Sequence, residues 1–131
     1  MSLRRLIAMY LHHSFPSSRI DISHFGKYHA PMRLIKRKTF IDFGERHANA
    51  KASVLHLARL IETAAWASPL EVAQSVAKSK VVTNDRLRFE ISGGSFRAIV
   101  AFDWVKQIAF VKFVGTHAEY DRIDTAMISE F

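Results

Sequence analysis

The chain contains no cysteine. That absence removes disulfides, thiolate nucleophiles and cysteine-ligated zinc or iron–sulfur centres together, and it suits a reducing interior. Long apolar runs are missing too. The longest early one, Leu6 to Leu11, falls far below the roughly 20 residues that span a bilayer, and no later segment does better. His12-His13 interrupt that run and Phe15-Pro16-Ser17 offers no small-residue cleavage site, so it does not make a secretory leader either. The expectation is a cytoplasmic protein with no membrane segment. Acidic residues are also scarce: 12 Asp+Glu stand against 19 Lys+Arg, a net charge of +7. Such an excess points to an anionic partner, nucleic acid first and an acidic protein second. What is present, 131 residues of which 49% are hydrophobic and 24% charged, suits one globular domain with a core of its own.

The first 31 residues differ in texture from the rest. They hold His12, His13, His24 and His29 of the seven histidines and Pro16 and Pro31 of the three prolines, with no sustained period of 2 or 3.6. Histidines without a repeated spacing do not argue for a metal site. Residues 1–31 are therefore expected to be an N-terminal extension, and residues 32–131 the folded domain.

From Met32 the pattern becomes legible. Met32 to Ile35 reads as a short strand. Thr39 is expected to cap a helix carrying Phe40, Phe43 and His47, and Asn49 to cap a second one, in which Val54, Leu57, Ala58, Ile61 and Ala65 form a buried stripe. A third helix is announced by Ser68, Pro69 and Glu71, with Leu70, Ala73 and Val76-Ala77 as its buried side. Past residue 80 the period switches to two. Arg86 to Ile91 alternates, Ser92-Gly93-Gly94-Ser95 supplies a hairpin, Phe96 to Phe102 answers it, and Ile108 to Gly115 follows as a third strand before a short helical piece around Ala118 to Ala126. Helices first and a meander afterwards predict an α+β fold, with helices packed on one face of a small antiparallel sheet.

Alternation splits these strands into two sets. Leu87, Phe89, Ile91, Phe96, Ala98, Val100, Phe102, Ala109, Val111 and Phe113 are all apolar and belong under the helices. The opposite set holds Arg86, Arg88, Glu90, Arg97, Ile99, Ala101, Asp103, Ile108, Phe110, Lys112 and Val114. If the strands lie in sequence order, Arg88, Arg97 and Lys112 share a surface with Phe110. Two readings stand side by side: a face charged for solubility, or cations and an aromatic ring for single-stranded RNA. At the end of the third strand, Gly115-Thr116-His117-Ala118-Glu119-Tyr120-Asp121 has the Thr116/Glu119 spacing of a capping box. It also places His117 and Tyr120 one helical turn apart beside a helix N-terminus, where they can exchange protons with a ribose hydroxyl or a phosphodiester.

Gly94-Ser95-Phe96-Arg97, the strand Gln107 to Val114 and the closing Gly115 to Asp121 together resemble the HigB toxin family of the RelE superfamily. The likeness runs back through Phe89-Glu90-Ile91, Ser68-Pro69 and Ala65-Trp66 to Met32-Arg33, so that it covers roughly Met32 to Ala126. It implies a RelE-like toxin of a type II toxin–antitoxin system, an endoribonuclease (mRNA interferase) that cuts messenger on the ribosome. It also implies chemistry without metal or other cofactor, and silencing by a HigA-type helix-turn-helix antitoxin. In that chemistry the ribose 2′-hydroxyl attacks the adjacent phosphodiester and expels the 5′-oxygen. Arg97 and Lys112 are the expected phosphate cations, His117 and Tyr120 the expected proton carriers, and Arg88 and Phe110 the expected RNA-binding residues. Glu90, where the family usually has Asn, and Ser95, where a Gly-Asn pair is usual, depart from the pattern; a carboxylate at 90 can pair with Arg88 or Arg97 and blunt the basic face. The alternative function is a non-catalytic RNA- or ribosome-binding module on the same face, and a third reading makes that face a dock for an acidic antitoxin segment.

Overall fold

The computed structural model describes residues 31–130, so the expected extension lies outside the described residues except for Pro31. The domain opens on strand β1, Arg33–Ile35, anchored by Met32, whose amide donates to Ala64 O at 3.0 Å. Lys36 then takes a left-handed conformation (φ 68°) and turns the chain directly into helix α1, Arg37–Arg46. This overturns the expectation for Thr39. The strand ends in a one-residue reversal, so the helix starts before Thr39, whose amide already bonds to Lys36 O. Phe40 and Phe43 are buried as expected, and His47 ends α1 with its ring 4.3 Å from that of Phe43.

Asn49 does not cap the second helix. It sits in a short 3-10 turn, Ala48–Ala50, with its carbonyl accepting from Ser92 Oγ, and Ala50 precedes helix α2, Lys51–Thr63. Val54, Leu57, Ala58 and Ile61 form the buried stripe, while Ala65 falls beyond the helix end. Helix α3, Pro69–Ser75, starts as the sequence predicts: Pro69 leads and Ser68 Oγ accepts from Glu71 N. Its buried side matches in part. Val72 reaches the core and Val76, just past the helix end, packs against it as expected, while Leu70 and Ala77 are exposed.

Four antiparallel strands follow: β2, Ser79–Thr83; β3, Arg86–Ile91; β4, Phe96–Asp103; and β5, Ile108–Thr116. The sheet order is β1-β5-β4-β3-β2, with β1 parallel to β5. The fold is thus α+β, its meander β3-β4-β5 in sequence order, extended by a parallel edge and by β2, which the sequence reading did not include. β2 is an edge strand with Lys80 and Val81 exposed, and such a half-solvated edge lacks the strict alternation that marks a buried strand.

One irregularity repositions the outer face. Val100 pairs with Val111 but Ile99 pairs with Phe113, which makes Lys112 the extra residue of a β-bulge. Partners across an antiparallel pair share a face. Leu87, Phe89, Ile91, Phe96, Ala98, Val100, Phe102, Ala109 and Val111 lie in the helix-covered core as predicted, whereas Phe113 and Val114 exchange places. Val114 joins the core and Phe113 turns to the outer face beside Ile99. The core itself is dominated by Trp66, Phe40, Phe43 and Phe89, all nearly or fully inaccessible. Each such side chain contributes about 1.5–3 kcal/mol by leaving water.

Candidate functional site

The outer face of β3, β4 and β5 carries the residues that the sequence singles out. At its hairpin end, Glu90 lies opposite Arg97 across β3 and β4, and Arg97 lies opposite Gly115 on β5. The hairpin reverses through Ser92, Gly93 and Gly94, all at positive φ. Glu90 makes its ion pair with Arg88, Nη2 to Oε2 at 3.1 Å, and the two side chains are only 15% and 19% exposed. Arg97 has no acidic partner among the described residues, and its buried Nε makes no hydrogen bond. Its guanidinium instead lies over the Tyr120 ring, 4.9 Å from the centroid.

Tyr120 arrives there through a tight junction. Helix α4, His117–Tyr120, is closed by the predicted capping box: Thr116 Oγ1 accepts from Glu119 N, and Glu119 Oε1 accepts from Thr116 N at 2.7 Å. The His117 amide donates to Ser95 O in the hairpin. The amides of His117 and Glu119 are thus committed to the chain's own oxygens, and neither is open to the anion that the sequence suggested for this helix start. Gly115 makes the close approach possible, since a Cβ there would meet Phe113 Cζ at 2.6 Å and Glu119 Oε1 at 2.8 Å. Phe113, brought to this face by the bulge, supports Tyr120 with ring centroids 6.4 Å apart.

His117 is exposed, and its Nδ1 lies 3.1 Å from Asp121 Oδ2. A carboxylate only accepts, so in the neutral ring the proton sits on Nδ1 and Nε2 keeps its lone pair. Sequence reading missed Asp121 as a partner; its i,i+4 spacing from His117 was the available signal.

Arg88, Arg97, Tyr120 and His117 thus share the hairpin end. Lys112 and Phe110 do not join them. Lys112 Nζ lies over the Phe110 ring, 5.5 Å from its centroid, and 3.5 Å from Ser129 Oγ. Phe110 is in register with Ala101, and Ala101 with Arg86, nearer the other end of the strands. Among the described residues, no three His, Asp or Glu side chains come together as a metal site, and no helix is long and apolar enough to cross a membrane.

No curated protein shows significant similarity to the chain. The sequence profile of the HigB toxins, described as the RelE-like toxic component of a toxin–antitoxin system, matches residues 50–123, which takes in α2, α3, the four antiparallel strands and α4. With more than half of its length matched, including the entire hairpin end of the outer face, the chain belongs to the HigB family of RelE-like toxins.

Proposed function

We propose that this toxin is an endoribonuclease that cleaves messenger RNA on the ribosome without a metal or other cofactor. The observation that carries the reading is Arg97: a guanidinium without an acidic partner among the described residues, resting on Tyr120 beside the His117–Asp121 pair. In the reaction the 2′-oxygen forms a bond to phosphorus as the bond from phosphorus to the 5′-oxygen breaks. The 2′-hydroxyl gives up its proton and the departing 5′-oxygen gains one, leaving a 2′,3′-cyclic phosphate. Arg97 donates to the phosphate oxygens as charge accumulates on them. His117 exchanges protons through Nε2 and Tyr120 through its hydroxyl. Arg88 and Phe110 bind flanking nucleotides, with Lys112 as an additional phosphate cation. A HigA-type helix-turn-helix antitoxin is the proposed silencing partner, and the cytoplasm the proposed place of action.

Inducible expression of the full chain, with growth and messenger integrity followed beside His117→Ala, Tyr120→Phe and Arg97→Ala forms at equal protein level, tests this. Growth arrest with cleaved messenger, relieved by each substitution, supports the ribonuclease. Arrest with intact messenger that depends on Arg97 and Lys112 but not on His117 or Tyr120 supports instead the non-catalytic RNA- or ribosome-binding module.

A further inference from the structure

The last described residues, 121–130, return across the outer face. Arg86 Nη1 donates to Thr125 O at 3.3 Å and to Ile128 O at 2.7 Å. On β5, Lys112 O accepts from Glu130 N at 3.0 Å, and Lys112 Nζ lies 3.5 Å from Ser129 Oγ. The segment therefore reaches from β3 to β5. Between them on β4, Ile99 and Ala101 are buried on what would otherwise be an open face.

This contact has an unusual charge balance. Of the outer-face cations Arg86, Arg88, Arg97 and Lys112, only Arg88 forms an ion pair among the described residues. Arg86 and Lys112 meet neutral acceptors, two main-chain carbonyls and a hydroxyl. Neutral acceptors hold a cation less strongly than an ionised one does. Phe110 is level with Arg86 in register, through Ala101, lies under Lys112 Nζ, and borders a hollow of about 410 Å³ that Trp104 also lines. The two carboxylates of that hollow are already engaged, Asp103 by Lys106 N and Asp85 by the Thr83 hydroxyl.

We infer that residues 124–130 are a displaceable strap over a second RNA subsite. In it Arg86 and Lys112 hold phosphates, and Phe110 stacks a base, once the strap's carbonyls and hydroxyl withdraw. The inference rests on the ribonuclease reading and extends it: the strand runs from Arg97 along the outer face towards the β4–β5 turn. Single-stranded RNA fits better than an acidic protein segment because a flat ring stands among the cations.

The full chain carrying Met127→Cys tests the proposal. Met127 is 74% exposed and the sequence has no other thiol, so an environment-sensitive fluorophore there reports on the strap. A single-stranded 2′-O-methyl oligoribonucleotide, which cannot be cleaved, should change the emission saturably, in step with binding measured by anisotropy of the oligonucleotide. Arg86→Gln should change the emission of the free protein and weaken RNA binding. Ile128→Gly, which loosens the strap and leaves every cation in place, should tighten binding about tenfold, because the competent state no longer competes with a closed one. RNA binding that needs Arg97, with an unmoved label and no gain from Ile128→Gly, would overturn the strap and leave the ribonuclease intact. A label that responds to poly-glutamate but not to RNA would overturn it in favour of a protein partner. Absence of Arg97-dependent RNA binding in both the full chain and Ile128→Gly would remove the strap and the ribonuclease reading together.

Discussion

The two ends of the outer face use the same residue types to opposite effect. At the hairpin end, Glu90 takes Arg88 into an ion pair and leaves Arg97 on an aromatic ring without a counter-charge among the described residues. At the other end, no carboxylate among the described residues takes Arg86 or Lys112, and residues 125–129 meet them with neutral oxygens. One end commits a carboxylate and keeps one cation open, while the other commits none and covers both. The number of basic residues on a face therefore says little about which of them are free to meet a phosphate. The partner of each decides.

The largest blow to this contrast is Arg97→Ala. It should lower the cleavage rate on ribosome-bound messenger by about a hundredfold or more, as expected for loss of a group that meets developing charge, while circular dichroism shows the fold retained. Gly115→Ala comes next and attacks the geometry instead of the charge. With Phe113 and Glu119 both inside the space that a Cβ needs, thermal or urea unfolding should show a loss of about 1–3 kcal/mol, and α4 should shift away from Arg97.

Glu90→Gln should move two quantities in opposite directions. Unfolding should report a loss of stability of up to about 3 kcal/mol, because a largely buried guanidinium loses its partner. Oligoribonucleotide affinity should rise a few-fold as Arg88 becomes available, and the rise should vanish when Arg88→Ala is added. A rise that survives Arg88→Ala would show that Glu90 acts on Arg97 instead, and the contrast between the two ends would need redrawing.

The smallest effect is expected from removing residues 1–31. We propose that the toxin domain is residues 32–131 and the preceding segment an appendage. Met32, which is buried and bonded to Ala64 O, remains as the first residue. Melting temperature and messenger cleavage should be unchanged; loss of either would place part of that segment in the domain.

Features set by neighbours in sequence were readable. The Ser68-Pro69-Glu71 start of α3 and the Thr116/Glu119 box are local hydrogen-bond patterns, and the alternation of β3 and β4 follows from the pleat. Features set by pairing were not readable. Lys112 becomes an extra residue only against Val100 and Ile99, so no run of letters marks it. The stacking of Arg97 on Tyr120 depends in turn on α4 folding back over Gly115. Likewise, Glu90 had two arginines within reach by alternation, and only side-chain placement selects Arg88.

The bulge has a consequence for how the gene tolerates change. Strand β5 serves the helix-packed interior with Ala109 and Val111, then steps out of phase and serves it again with Val114, while Phe113 underlies Tyr120. A saturation scan should therefore show two adjacent positions, 113 and 114, that both reject polar residues, where an unbroken strand would show one of every two. Deleting the single codon for Lys112 would remove the bulge and join Val111 directly to Phe113, a regular alternation in which Phe113 stays outward and Val114 inward, so the strand would lose a cation and a bend but keep its faces.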